Sequence, residues 1–197
     1  LEQIDRAVEA VRARASRRPR IGIVLGSGLN SLADSVQQAD FIPFGDLPDW
    51  PRSTVHGHTG RLVIGELEGQ SVMVMQGRVH FYEGYSISQV TLPTRVMARM
   101  GLEILIVTNA AGGVNPDFAP GDVMLITDHL NLMGMTGANT LMGPNIEELG
   151  PRFPDMSQAY DLQLMAQARK TASESGIVLR EGVYCGLRGP SFEGPAD

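Results

Sequence analysis

Short apolar runs that empty into loops of very small residues constrain the fold of this chain more than any other feature. Ile21-Gly22-Ile23-Val24-Leu25 is β-branched and free of polar residues, as a strand covered on both faces should be, and it runs into Gly26-Ser27-Gly28. Glu103 to Thr108 is a second buried strand, ending in Asn109-Ala110-Ala111-Gly112-Gly113, and Val123 to Thr127 is a third of the same kind. Helical patterns alternate with these runs. Gln3 to Ala15 places Ile4, Val8, Val11 and Ala15 on one face, and the Arg17-Arg18-Pro19-Arg20 cluster follows as solvated cations at a helix C-terminus. Ile87, Val90, Val96, Met97 and Met100 mark a helix toward Gly101, in which Pro93 is tolerable only near the first turn or at a kink. Ser157 to Ser175, with Leu162, Met165, Ala168 and Ala172 and a stop at Gly176, is another. Arg61 to Leu67 and Ser71 to Gln76 pattern as a hairpin about Glu68-Gly69. The stretch before them, rich in Pro, Asp and Gly, is irregular. This order predicts an α/β fold, a mixed sheet flanked by helices, in a single domain over residues 1–197.

Composition narrows the chemistry. With 16 basic and 22 acidic side chains the net charge is −6, which excludes a general nucleic-acid surface. Lys170 is the only lysine, so a Walker-type G-K-[ST] loop and a kinase-type V-A-I-K strand are both missing. The single cysteine, Cys185, can form neither an internal disulfide nor a thiolate metal cluster, and points to a reducing, cytoplasmic compartment. Cys185 itself is expected as a small buried hydrophobe in a strand. No apolar run approaches the roughly 20 residues of a membrane helix.

In α/β proteins ligands bind in the crevice beyond the carboxyl ends of the strands, and small residues there let backbone N–H groups approach an anion. The glycine loops therefore point to an anionic ligand. Gly26-Ser27-Gly28-Leu29-Asn30-Ser31 starts like a dinucleotide fingerprint, but Ser31 replaces its third glycine and no acidic strand end follows at the ribose distance. A serine between two glycines remains a good phosphate contact. Arg78-Val79-His80-Phe81-Tyr82-Glu83 gathers a planar cation, an imidazole, a phenol and a carboxylate just after a strand, a set matched to phosphate and sugar. His56-Gly57-His58 is the one metal-like pattern, but the next alternate position is Gly60 rather than a carboxylate, so an anion donor is the preferred reading and no metal is expected. His129 beside Asp128 lacks a nucleophile and is expected to be structural. Trp50 is expected to anchor a loop.

Together the segments resemble the trimeric class of purine nucleoside phosphorylases, in the branch that uses 6-oxopurine nucleosides. The matching stretches are LGSGLN (Leu25 to Asn30), STVHGHTGRLVIG (Ser53 to Gly65), QGRVHFYEGY (Gln76 to Tyr85), VTNAAGG (Val107 to Gly113), GDVMLITDHLNL (Gly121 to Leu132), RFPDMSQAYD (Arg152 to Asp161) and GPSFEGPAD (Gly189 to Asp197). The resemblance implies that Ser27, His58, Arg78, His80 and the backbone N–H of Ala110 cradle phosphate, and that Tyr82 lies along ribose and phosphate. Asn109 and Ala110 would border the nucleoside, Ala111 and Gly112 line its base slot, Phe192 packs by the purine, and Glu193 accepts from N1–H and the 2-amino group. Phe153 would cover the sugar of a neighbouring subunit in a homotrimer. The implied catalytic residues are His80 and Glu193, and the implied reaction is reversible phosphorolysis of guanosine, inosine and their deoxy forms, with inorganic phosphate as co-substrate and no other cofactor.

Two departures from the family pattern stand out. Gly194 and Asp197 occupy positions where the family has Thr and Glu, and the family continues for roughly another third, carrying an N7-binding Asn and further ribose and phosphate contacts. The chain is therefore expected to be a truncated domain, and inactive or poorly folded as an isolated piece. Glu193 argues against the related 5'-methylthioadenosine phosphorylases, while xanthosine phosphorylases remain compatible. Outside the family, a metal-dependent hydrolase built on His56 and His58, or a non-catalytic nucleoside-binding module, are the alternatives.

Overall fold

The computed structural model describes residues 1–52 and 60–194, which form two compact units, Leu1–Ala110 and Ala111–Asp197. In the first, the sheet runs β2-β3-β4-β1-β5, from strands β1 (Ile21–Val24), β2 (Gln37–Pro43), β3 (Arg61–Leu67), β4 (Gln70–Gln76) and β5 (Ile104–Val107). β1 is parallel to both β4 and β5, while β3 is antiparallel to β4 and β2, so the sheet is mixed, as expected. The hairpin turns through Glu68 and Gly69, both at positive φ, the geometry that follows the right-handed twist of the strands.

The unbroken apolar runs follow from a sheet covered on both faces. One face of β1 and β4 joins Ile23, Leu25, Val72 and Val74 with Val63, Ala33 and Val36 in a buried cluster. On the other lie helices α1 (Glu2–Arg12) and α2 (Ile87–Met100), packed together, burying Ile4, Ala7, Val8 and Val11 from α1 and Leu92, Val96 and Met97 from α2. Gly22 allows that approach, since a Cβ there would stand 2.8 Å from Leu102 and 3.1 Å from the Met97 sulfur. Pro93 is not at the first turn; it is buried inside α2, which continues through it. Its missing hydrogen bond costs about 3 kcal/mol in an exposed helix, but neighbours such as Val96 and Met97 each gain about 1.5–3 kcal/mol from burial, so packing decides.

Several expectations change. The first helix stops at Arg12, and two arginines of the following cluster are not helix-end cations: Arg17 bonds Gln38 and Glu66, and Arg20 pairs with Glu103 at 2.6 Å. β2 was not visible in the sequence pattern because it is an edge strand in which only Ile42 is buried, with its register broken between Gln37 and Asp40. β5 is not buried: it lies at the other edge, and Leu105, Ile106 and Val107 are each about half exposed. Trp50 is buried against Phe44, an anchor as expected.

The second unit holds a two-stranded parallel sheet of β6 (Val123–Asn131) and β7 (Leu179–Gly186), with the single-turn α3 (Leu132–Met135) and the helix α4 (Leu162–Glu174) in the crossover. α4 starts later than Ser157 because the Asp161 carboxylate caps it, accepting from the N–H groups of Gln163 and Leu164. Arg169 grips Glu181 of β7 through two bonds of 2.7 and 2.8 Å. β6 is half exposed rather than buried, and Cys185, expected inside, is exposed on β7. Among the described residues no helix is long and apolar enough to cross a membrane.

Candidate active site

Because β4, β1 and β5 are adjacent and parallel, their carboxyl ends bring three loops side by side. Leu25 N–H donates to Met75 O at 3.1 Å and Thr108 N–H to Val24 O at 3.0 Å, so the registers continue past the strand ends. Gly26 must be glycine: a Cβ would lie 2.7 Å from the Thr108 carbonyl and 2.7 Å from the Asn109 Cα. The Thr108 hydroxyl locks that contact, donating to Val24 O at 3.0 Å and accepting from Gly26 N–H at 2.8 Å. Ser27 is exposed between Gly26 and Gly28, the latter at φ +87°.

Arg78 leaves the end of β4, is half buried, and donates through Nη1 to the Thr108 carbonyl at 2.7 Å, linking the two strands that flank β1. Its Nε points at His80 Nε2 at 3.4 Å. On the other side of the ring, Nδ1 meets Glu83 Oε1 at 3.1 Å, and the same oxygen accepts the His80 backbone N–H at 2.7 Å. These partners favour a proton on Nδ1, leaving Nε2 turned toward Arg78. The Glu83 carboxyl is 2% exposed, so it stands behind the imidazole shielded from water. Tyr82 stacks on His80 with ring centroids 4.9 Å apart and remains 47% exposed, its free face open to a ligand. Behind the loops, buried Gln76 donates to Asn30 O at 2.9 Å and accepts from Arg61 at 2.7 Å.

The sequence cluster included Glu83 without giving it a role, and Thr108 and Gln76 carried none. The detectable signal for Glu83 was its spacing three residues after His80, which lets its carboxyl accept the His80 N–H at the start of the short turn Phe81–Glu83. Chemically, this strand end offers a guanidinium, an imidazole backed by a carboxylate and an open glycine loop, a set suited to an oxyanion.

Of the predicted site residues, the first unit thus brings Ser27, Arg78, His80, Tyr82, Asn109 and Ala110 to one end of its sheet. His56 and His58 lie outside the described residues. In the second unit Ala111 and Gly112 lie in an exposed segment without helix or strand. Phe153 and Phe192 are 87% and 96% exposed and Glu193 is exposed, so that unit does not gather them into a packed cluster. His129 is a partnered residue, its Nδ1 3.2 Å from the Tyr160 hydroxyl and its ring edge-on to that phenol, in keeping with a structural role. Burial beside Asp128 pushes the Tyr160 hydroxyl pKa upward. Among the described residues no three His, Cys, Asp or Glu side chains gather as a metal site.

Comparison with known proteins agrees with this chemistry. Residues 20–197 match the phosphorylase superfamily. The chain is 53% identical over 194 residues to purine nucleoside phosphorylase 1 of Geobacillus stearothermophilus, covering 98% of this chain and 70% of that protein. It superposes with a TM-score of 0.94 on the Schistosoma mansoni purine nucleoside phosphorylase in complex with inosine, at 43% identity, covering 100% of this chain and 69% of that one. A purine nucleoside phosphorylase in complex with ribose-1-phosphate gives the same TM-score of 0.94 at 45% identity, covering 99% of this chain and 73% of that one.

Proposed function

Since the chain belongs to the phosphorylase superfamily, and within it to the purine nucleoside phosphorylases, we propose that it cleaves purine nucleosides with phosphate through the groups at the carboxyl end of its five-stranded sheet. The observation that carries this reading is the Arg78, His80 and Glu83 chain of contacts beside the Gly26-Ser27-Gly28 loop. Phosphate is held by Arg78, His80, Ser27, the Ala110 N–H and His58. One of its oxygens bonds to the anomeric carbon as the bond from that carbon to the purine nitrogen breaks. The electron pair leaves with the base, so positive charge builds on the sugar, and the bound dianion both stabilises and captures it. No protein nucleophile is needed, and inorganic phosphate is a co-substrate rather than a cofactor.

Tyr82 lies along the ribose and Asn109, Ala110, Ala111 and Gly112 border the nucleoside. Phe192 packs by the purine, and Glu193 accepts from N1–H of guanine or hypoxanthine. Adenosine presents an acceptor at N1 and would face the carboxylate acceptor to acceptor, which disfavours it. Phe153, exposed and aromatic, suits a sugar on a neighbouring copy in a homotrimer. The match of one family pattern to residues 20–197 supports reading both units as one phosphorylase domain, in a cytoplasmic enzyme of purine salvage. The test, made on the full-length protein, is loss of guanosine or inosine followed by absorbance and product chromatography. Turnover that requires phosphate or arsenate and yields ribose 1-phosphate with phosphate is expected; cleavage in the absence of both anions contradicts the mechanism.

A further inference from the structure

The segment that carries Phe153 is closed by one guanidinium. Arg152 Nη1 donates to the carbonyls of Leu141 and Gly143, each at 2.7 Å, eleven and nine residues back along the chain. Asn145 Nδ2 braces the inside of the same loop, donating to Gly150 O at 3.2 Å. Gly143 and Gly150 hold φ of +99° and +140°, so the chain turns where a side chain would be strained. The Arg152 Cζ stands 5.8 Å from the Phe153 ring centroid, within cation–π range.

Arg6, Arg17, Arg20, Arg61, Arg99, Arg169 and Arg180 pair with carboxylates, whereas Arg152, like Arg14 and Arg52, donates to backbone, and its two acceptors tie the loop back to the residue that precedes Phe153. Phe153 itself, 87% exposed, is not fixed by burial. We propose that Arg152 is a positioning residue: its Nη1 ties the loop that begins at Leu141, and its guanidinium presents Phe153 in one orientation for the nucleoside sugar. The inference rests on the reading of Phe153 as a sugar-covering residue. A lysine is a poor replacement, because an ammonium offers no flat face to the ring and no planar group that fixes ring and carbonyls together.

The test combines kinetics with amide hydrogen exchange. Arg152→Ala is expected to raise the nucleoside KM about tenfold, as ordering lost from a binding element does, with phosphate KM, kcat and oligomeric mass unchanged. Arg152→Lys is expected to recover less than half of that loss. In a Phe153→Ala background Arg152→Ala should add less than about twofold, since both act through one ring. Full additivity, or an unchanged KM in the single variant, overturns the proposal. If Phe153→Ala alone leaves the nucleoside KM unaltered, the reading of Phe153 fails, and exchange then decides the remainder. Arg152→Ala should speed exchange across residues 141–153 at least tenfold while β7 is unaffected, and unchanged exchange there refutes the positioning role whatever the kinetics show.

Discussion

The two units of this chain are stabilised in different ways. Leu1–Ala110 is built around a sheet with both faces covered, where Leu62, Val63, Ile64, Met73 and Val74 are fully buried. In Ala111–Asp197, among the described residues, the buried hydrophobics are Ala138, Met165 and Ala172, and order comes instead from one parallel strand pair and from arginines bonded to backbone or carboxylates. The proposed labour of the enzyme divides in part along the same line. In that proposal phosphate chemistry, which needs donors fixed against a developing charge, sits at the carboxyl end of the first unit's sheet, together with Tyr82 for the ribose. The proposed base contacts Phe192 and Glu193 are exposed residues of the second unit.

The largest effect that sharpens this division is Arg78→Met. It removes the bond from the guanidinium to the Thr108 carbonyl, while the Thr108 hydroxyl keeps its own bonds to Gly26 N–H and Val24 O and the strand pairing is untouched, so the fold should persist. A loss of about 1,000-fold in kcat/KM for phosphate is expected, the scale of deleting a preorganised charge-stabilising donor. Steady-state kinetics with phosphate varied checks it, and a loss below about tenfold would place the anion elsewhere. Next is Leu62→Ala, which should cost about 3 kcal/mol in chemical denaturation, against less than about 0.5 kcal/mol for Leu130→Ala, since Leu62 is 0% exposed and Leu130 is 55% exposed. Equal costs would dissolve the contrast between the units.

The same contrast governs what was legible in the sequence. β1, β3, β4, α1 and α2 announced themselves because their apolar periodicity records burial, and burial is what the first unit has. β2 stayed hidden because an edge strand with one buried residue writes no pattern. The burial expected of β5, β6 and Cys185 failed for a related reason: an apolar composition says what a strand can bury, not how many neighbours cover it. In the site, Arg78 and His80 were visible as costly residues beside a core strand. Thr108 and Gln76 were not, because their importance lies in hydrogen bonds to residues distant in sequence. Glu83 stood in view, but only the structure shows its carboxylate buried behind the imidazole.

On the second unit, Glu193→Gln probes base recognition without touching phosphate. An amide keeps the shape but can turn a donor toward the base, leaving N1–H without its charged acceptor. About 2 kcal/mol, or roughly 30-fold in kcat/KM for guanosine, is expected, with phosphate KM within about twofold. A shift in phosphate KM as large as the guanosine loss would mean that the two units do not divide the reaction as proposed.

The smallest effect concerns acid stability, and it too separates the units. Asp40 is held below its ordinary carboxylate range first by the Ser16 hydroxyl and then by the Ser16 backbone N–H, at 2.7 Å each. Asp122 is lowered first by the Ala119 N–H, with Arg180 contributing less. Both are depressed in the folded state, so their contribution is present above the unfolded pKa of about 4 and disappears as pH falls through the lower folded value. Ser16→Ala removes the leading partner of Asp40, whereas no side-chain change removes that of Asp122. Ser16→Ala should therefore cost about 0.5 kcal/mol at pH 7, a figure discounted for solvent exposure, and its gap from the parent should close as pH falls below the ordinary carboxylate range. Arg180→Gln should move the acid limb less. Urea titrations from neutral pH to pH 2.5 decide it: a Ser16→Ala gap that persists undiminished at the acid end would mean the serine acts through packing rather than through the Asp40 charge.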